Sequence, residues 1–363
     1  MSIHQVFPQQ YQAQLDQKVD KIKTAFDHFN LPEIEVFASP SSHYRLRAEF
    51  KIWHEDGRAH YAMFEPGERK RPFIIDSFPV ASHKINELMP LLLTAINEQP
   101  ILRQRLFQME FLTTLSGDAL VSLIYHKKLD DDWEDAARAL AQSLNLAMVG
   151  RSRKQKRVIG RDFVLEELQV GATTFRYQQV ETGFTQPNGR VCEKMLTWAV
   201  EKSRGFSGDL LELYCGNGNF TLPLSQNFDR VLATELAKSS LASARYNQTL
   251  NNVENLTLVR MSSEDFSQAL DKVRPFNRLK DIDLDSYRFS TIFVDPPRAG
   301  LDDHTTAVTQ RFDNIMYVSC NPETLRHNLA SITQSHEITH FAVFDQFPYT
   351  PHLECGVILK RRR

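Results

Sequence analysis

The stretch "DLLELYCGNGNFTLPL", residues 209–224, decides the fold. Its opening "DLLELY" is a short apolar run of the kind that forms a buried strand. Gly216-Asn217-Gly218-Asn219 then turns the chain into a helix. Glycines at a strand-to-helix turn let the backbone approach a ligand closely. A phosphate-binding fingerprint would read G-x-G-x-x-G, and here the third glycine is missing. Glu235 closes the next apolar run, about twenty residues on, where an acid accepts hydrogen bonds from ribose hydroxyls. A glycine turn followed by that acid points to an adenosine ligand; a plain turn is the alternative. S-Adenosylmethionine carries no phosphate, so the missing glycine favours it over NAD.

Outward from this stretch, "RVLATE", "NLTLVRM", "STIFVD" and "NIMYVS" are further short β-rich runs, each followed by polar or helical sequence. Strand and helix in alternation imply βαβ units and a mostly parallel sheet, a Rossmann-like α/β domain. "HFAVFDQFP" and "CGVILKR" are separated by a short gap and are expected to pair antiparallel at one side of it. "DKVRPFNRLKDIDLDSYRF" reads as a surface loop.

The first 160 residues have a different pattern. The start reads as a helix, with Leu15, Val19, Ile22 and Phe26 at helical spacing. "YRLRAEFKIWHEDGRAHYAMFEP" is a hairpin turning at Asp56-Gly57, and "MEFLTTLSGDALVSLIYHK" a second one turning at residues 116–118. "MPLLLTAINEQPILRQRL" and "DDWEDAARALAQSLN" read as helices, the latter with acids in the first turn, where the helix dipole favours them. Two domains follow: an α+β domain with an antiparallel sheet over 1–160, and the α/β domain over 161–363. The basic run "RSRKQKRVIGR" (151–161), with six Lys/Arg and no acid, is either a solvated linker or a phosphate-contacting patch.

At 363 residues the chain exceeds a usual single core. Its net charge of −2 is not the basic footprint of bulk nucleic-acid binding. The four cysteines form no metal-like spacing, so neither zinc nor a disulfide framework is expected. The polar N-terminus lacks the apolar core of a signal peptide and no apolar run is long enough to span a bilayer, which suits a cytoplasmic protein.

Two further motifs carry chemistry. In "FVDPPR", Asp295 stands at the carboxyl end of a strand, where open α/β sheets place ligands. Exocyclic-amine methyltransferases follow the two prolines with an aromatic; Arg298 stands there instead. In "IMYVSCNPETL", Cys320 precedes Asn321, which can cap a helix with Pro322 at its first position. An isolated cysteine is more often a packed side chain than a nucleophile. Glu354 in "TPHLEC", taken alone, is more often a surface turn acid than a base.

"LYCGNGNF", "VDPPRAG", "YVSCNPETL" and "HLECGVIL", in this order, resemble the uracil-5 RNA methyltransferases. "YRLRAEF", "DSFP" and "FRYQQVETGFTQPN" extend the resemblance over nearly the whole chain, which is most similar to the bacterial branch acting on tRNA. Ribosomal-RNA relatives generally carry a four-cysteine iron–sulfur site. No cysteine precedes Cys192 here, so no such cluster is expected. The resemblance implies S-adenosylmethionine-dependent methylation of the T-loop uridine of tRNA (m5U54), and of T-loop-like sites in other RNAs such as tmRNA. It implies Cys320 as nucleophile and Glu354 as general base. C5 of uracil is too weakly nucleophilic to take a methyl from sulfonium until a thiolate has added to C6. The helix N-terminus is expected to lower the Cys320 thiol, and burial to raise Glu354.

The implied cofactor positions are Gln186, Tyr214, Asn219, Glu235 and Asp295, with Gly216 and Gly218 serving through their backbone. Asp295 serves either the cofactor or the target base. For RNA, Arg45, Arg47 and Lys51 on the first hairpin, Arg153 and Lys154 in the basic run, and Arg298 are the expected contacts. Alternation places Tyr44, Leu46, Ala48 and Phe50 in the core and the arginines facing the RNA. The T arm of tRNA is the expected partner, and the protein is expected to act as a monomer. The competing readings are a ribosomal-RNA uracil methyltransferase and a non-catalytic RNA-binding or RNA-folding protein.

Overall fold

The computed structural model describes residues 6–65, 67–68 and 72–362. Arg363, in the basic end of the chain, and residues 1–5 of the expected first helix lie outside them. The chain divides into two compact units: one of residues up to Gln9, Pro40–Glu167 and Gln178–Gly189, the other of Gln10–Ser39, Leu168–Tyr177 and Arg190 onward. Helix α1 (Tyr11–Ala25) and strand β1 (Ile34–Phe37) therefore belong to the second unit.

The first unit is built on a seven-stranded sheet. β2 (Arg47–Glu55) and β3 (Arg58–Met63) form the expected hairpin. Asp56 and Gly57 (φ 48° and 74°) adopt the left-handed conformations that a tight two-residue hairpin turn requires. β4 (Phe73–Ile74), α2 (His83–Glu98) and α3 (Pro100–Arg103) follow, then the second hairpin, β5 (Leu106–Thr113) and β6 (Ala119–Tyr125). The apolar run read as one helix thus breaks at Gln99 and gives way to strand at Leu106. α4 (Asp131–Ser143) is capped by Asp130, whose side chain accepts from the Trp133 amide at 2.9 Å. This helix carries the chain over to β7 (Ala147–Ser152), parallel to β6, and β8 (Gln155–Ile159) closes the sheet.

The strand order is β4-β3-β2-β5-β6-β7-β8. Tyr44, Leu46, Ala48 and Phe50 are all buried, as their alternation requires. Trp133, fully buried, lies over Gly150 so closely that a Cβ there would fall 2.2 Å from its ring. The basic run is not a linker: residues 151–159 are the β7–β8 hairpin, turned at Lys154 (φ 59°).

β9 (Phe163–Val170) and β10 (Thr173–Val180) pair as a two-stranded ribbon. The second unit continues with α5 (Gly189–Lys202), β11 (Asp209–Leu213), α6 (Thr221–Leu224), β12 (Val231–Thr234), α7 (Lys238–Leu250), β13 (Leu256–Val259) and α8 (Ser263–Leu270). β14 (Phe289–Val294), α9 (Asp303–Thr309), β15 (Asn314–Ser319), α10 (Pro322–Ile332), β16 (His336–Phe344) and β17 (Glu354–Arg361) complete it.

The eight-stranded sheet runs β1-β16-β17-β15-β14-β11-β12-β13. Every neighbouring pair is parallel except those made by β17, which is antiparallel to both β15 and β16. The order reverses between β11 and β14, the switch point where open α/β sheets hold ligands. Leu15, Val19, Ile22 and Phe26 enter one core with Leu211, Leu213, Ile292, Val294, Phe341 and Leu325. Full burial of such a side chain contributes about 1.5–3 kcal/mol. The 271–289 segment is more than a surface loop, since Leu279 is buried and Phe276, Ile282 and Leu284 pack on that core.

Candidate active site

Strand register brings the chemistry to one edge of the second unit's sheet. Leu213 of β11 pairs with Val294 of β14, Val294 with Tyr317 of β15, and Ser319 of β15 with Cys355 of β17. Tyr214, Asp295 and Cys320 therefore each follow the carboxyl end of one of three adjacent strands. Because β17 runs the other way, its first residue, Glu354, stands at that same edge beside Cys320. Glu235 follows β12, which pairs with β11. Across the edge the order is base candidate, thiol, Asp295, glycine turn and ribose-type acid.

The turn after β11 is held tightly. Tyr214, Gly216 and Gly218 have φ of 63°, 56° and 85°, and the tyrosine, which has a Cβ, is strained there. Its hydroxyl lies 2.7 Å from Ser263 Oγ and donates to it. Gly216 N donates to Glu235 Oε2 at 3.0 Å and Ala237 N to Oε1 at 2.6 Å. Both oxygens retain lone pairs for ribose hydroxyls. The Tyr177 hydroxyl donates to the Asn219 carbonyl at 3.0 Å. A Cβ on Gly216 would meet nothing within 4 Å, so the turn opens onto free space. The helix that the turn opens, α6, is a single helical turn.

Cys320 is half-buried and Glu354 buried. Asn321 caps α10: its Oδ1 accepts from the Glu323 amide at 3.1 Å, with Pro322 at the first helical position. Its Nδ2 donates to the Arg298 carbonyl at 3.0 Å, tying the Cys320 turn to the "DPPR" loop. Burial, then Asp295, push Glu354 up to about 8. Burial pushes Asp295 up to about 7.

The expected lowering of the Cys320 thiol is overturned. Burial, with the carboxylates of Glu354 and Asp295, pushes it up to about 11 against the pull of Arg298. Burial of the thiol, added to by two neighbouring carboxylates, opposes a helix terminus whose influence fades within a turn.

Sequence reasoning missed Glu212. It is buried on β11, its Oε2 has no hydrogen-bond partner, and burial, with Asp295 nearby, raises it to about 8. An acid inside a fully apolar strand was the available signal. Cys215 and Cys355 are buried thiols raised further still, as packing residues would be.

The remaining expected residues lie in the first unit. Gln186 has a buried Oε1 without a hydrogen-bond partner. Arg45 and Arg47 alternate with the buried residues as expected, but they are half-buried and their guanidinium groups are engaged by backbone carbonyls. Arg45 Nε donates to the Arg47 carbonyl, and the Arg47 guanidinium donates to the carbonyls of Glu181 and Gly183. Lys51 sets its ammonium 4.2 Å from the centre of the Phe107 ring, which stacks on His126. Arg151 and Lys156 pair with Glu181, and Arg157 with Asp131 and Glu134. Arg153 and Lys154, at the hairpin tip, are exposed and make no ion pair among the described residues.

No helix among the described residues is long and apolar enough to cross a membrane. No group of three His, Cys, Asp or Glu among them is arranged to hold a metal ion.

The family model described as tRNA (Uracil-5-)-methyltransferase matches residues 10–362. A tRNA/tmRNA (uracil-C(5))-methyltransferase of Cellvibrio japonicus is 61% identical, over 97% of this chain and 96% of its own. One from Vibrio parahaemolyticus is 53% identical over the full length of both. Among solved structures, the fold matches the Pyrococcus abyssi tRNA (uracil-54, C5)-methyltransferase in complex with S-adenosyl-L-homocysteine, with a TM-score of 0.72 at 22% identity. That match covers 96% of this chain and 83% of the other.

Proposed function

This chain belongs to the tRNA (uracil-5-)-methyltransferase family, and from that premise we propose how its residues carry out the reaction. It is an S-adenosylmethionine-dependent enzyme that methylates uracil C5 in tRNA and tmRNA. The observation that carries the mechanism is the register Ser319–Cys355, which sets Cys320 and Glu354 side by side at the ends of oppositely directed strands.

The donor set fits S-adenosylmethionine. Glu235 suits the ribose, the Gly216–Gly218 turn admits backbone approach, and Tyr214 and Asn219 flank it. By the resemblance alone, Gln186 is the candidate for the methionine end. Asp295 stands between the glycine turn and the thiol and serves the cofactor or the base. From Glu235 to Cys320 is three strand spacings, roughly 14 Å, so adenosine lies towards β12 and the methyl group towards β15. When bound, the cofactor supplies an electrophilic methyl on a cationic sulfonium.

Cys320, as thiolate, adds to C6 of uracil, and the C5–C6 π pair moves onto the C4 oxygen as an enolate. C5 then takes the methyl, and the breaking sulfur–carbon bond leaves its electron pair on the departing thioether. Glu354 removes the C5 proton, the C5–C6 double bond re-forms, and the Cys320–C6 bond breaks to return the thiolate. Arg298 favours the thiolate, and Glu354 acts in its ionised form when it accepts the C5 proton.

We assign the RNA to the T arm, with the first unit as the recognition domain and the target uridine turned out of its loop. Lys51, Arg153, Lys154 and Arg298 contact it, while Arg47 acts by holding the 181–183 turn and Arg45 by bonding to the Arg47 carbonyl. A monomer at work in the cytoplasm completes the reading. The test is a tRNA transcript containing 5-fluorouridine, incubated with the enzyme and S-adenosylmethionine. Fluorine at C5 cannot leave as a proton, so a covalent protein–RNA adduct should persist on a denaturing gel and vanish in Cys320→Ala. No adduct despite measured RNA binding would sink the thiol-addition mechanism.

A further inference from the structure

Helix α1 holds the loop that delivers Glu354. Lys18 is 5% exposed, and its ammonium donates to Asp345 Oδ1 at 2.7 Å, to the Phe347 carbonyl at 2.9 Å and to the His352 carbonyl at 3.1 Å. An ammonium has three protons, so all are used on this one loop. One turn earlier, Gln14 Oε1 accepts from the Tyr349 amide at 2.8 Å. The Tyr11 ring meets that of Tyr349 edge-on at 6.2 Å. Tyr349 has a φ of 62°, a conformation that persists in a tyrosine only where the surroundings impose it.

Asp345 follows β16, and His352 stands two residues before Glu354. A buried ammonium carries a desolvation cost that an apolar side chain of similar length would avoid. What the apolar side chain cannot do is gather the start, middle and end of a loop at one point.

We propose that Lys18 is a positioning residue for proton removal: by tying Asp345, Phe347 and His352 together, it sets where Glu354 enters β17. This rests on the reading of Glu354 as the base. Loosening the loop then leaves thiol addition and methyl transfer in place and slows the C5 proton abstraction that follows. A covalent enzyme–RNA adduct carrying the methylated base builds up.

The experiment uses the full chain, an unmodified tRNA transcript and methyl-labelled S-adenosylmethionine. Rapid quench and denaturing gels separate label in the adduct from label in released RNA. Lys18→Met should slow release by about 10-fold or more, leaving adduct formation and both KM values within about 2-fold. Lys18→Arg, which keeps the charge and donors, should recover part of the release rate. Release at the wild-type rate, or equal slowing of adduct formation and release, overturns the proposal.

Glu354→Gln is the control that separates the two ideas. If it fails to accumulate adduct, the base assignment falls and this proposal with it. If it accumulates adduct while Lys18→Met behaves as wild type, only the role of Lys18 falls. Should Lys18→Met not fold, Gln14→Ala, which removes one hydrogen bond to the loop, reads the same partition at about 3-fold. An unaltered partition there counts against the proposal.

Discussion

Two buried glutamates, one in each unit, show how partners rather than burial decide what an acid does. Glu181 and Glu354 are 5% and 4% exposed. Glu181 receives both Arg151 contacts, at 2.5 and 2.8 Å, the Ser122 hydroxyl at 2.9 Å, and Lys156 at 3.3 Å. Burial opposes its ionisation, but these partners win and hold it below the usual carboxylate range. Glu354 makes no side-chain hydrogen bond among the described residues and faces Asp295 and the Cys320 thiol, so burial wins and its proton is retained to about 8. The first arrangement fastens a turn. The second keeps an acid ready to exchange a proton near neutrality.

The harshest test of the contrast is at its chemical end. Cys320→Ala should abolish methyl transfer by at least about 10⁴-fold, since removing a nucleophile leaves only binding and orientation; a labelled-methyl assay reads it. Glu354→Gln should lower turnover by about 10²–10⁴-fold, the usual worth of a positioned base, with cofactor affinity by calorimetry unchanged. If Glu354 acts as that base, the rate at saturating substrates should rise as pH climbs from 7 through about 8, where its carboxyl ionises. A flat profile would place the base elsewhere.

At the structural end, Glu181→Gln should cost about 2–3 kcal/mol of stability, discounted from a fully buried pair because Arg151 is partly exposed. Denaturant unfolding measures it. The pH signs are opposite. Glu181, depressed, stabilises above the ordinary carboxylate range, and that contribution fades as pH falls through its folded value. Glu354, raised, favours the fold fully below its ordinary 4.5, and loses that favour as pH rises through about 8. Glu354→Gln should therefore gain stability over wild type at pH 9 and not at pH 4. Smallest of all, Arg153→Ala with Lys154→Ala should weaken RNA binding several-fold and reduce its salt slope by about 1 per lost phosphate contact. Filter binding across salt concentrations would show it.

Local pattern carried much of this in the sequence. The five apolar runs from 209 onward are β11 to β15, the last two are the antiparallel pair β16–β17, and Asp56-Gly57 turns the first hairpin. What escaped depended on contacts distant in sequence. β1 is four residues whose burial shows no alternation, and it exists because β16 offers it an edge. The basic run looked like a linker because the acids that pair it, Glu181, Asp131 and Glu134, lie outside it. The thiol's shift escaped for the same reason: the helix after Cys320 is visible in sequence, whereas the burial of the thiol and its approach to Glu354 and Asp295 come from register between strands.

The reversal of β17 also makes the site depend on distance along the chain. Lys18 of the first helix and Asp345, before the last strand, lie 327 positions apart. The strands that carry the thiol and the glycine turn fall between those two positions, so the strand that carries Glu354 is seated by contacts that close across almost the whole sequence.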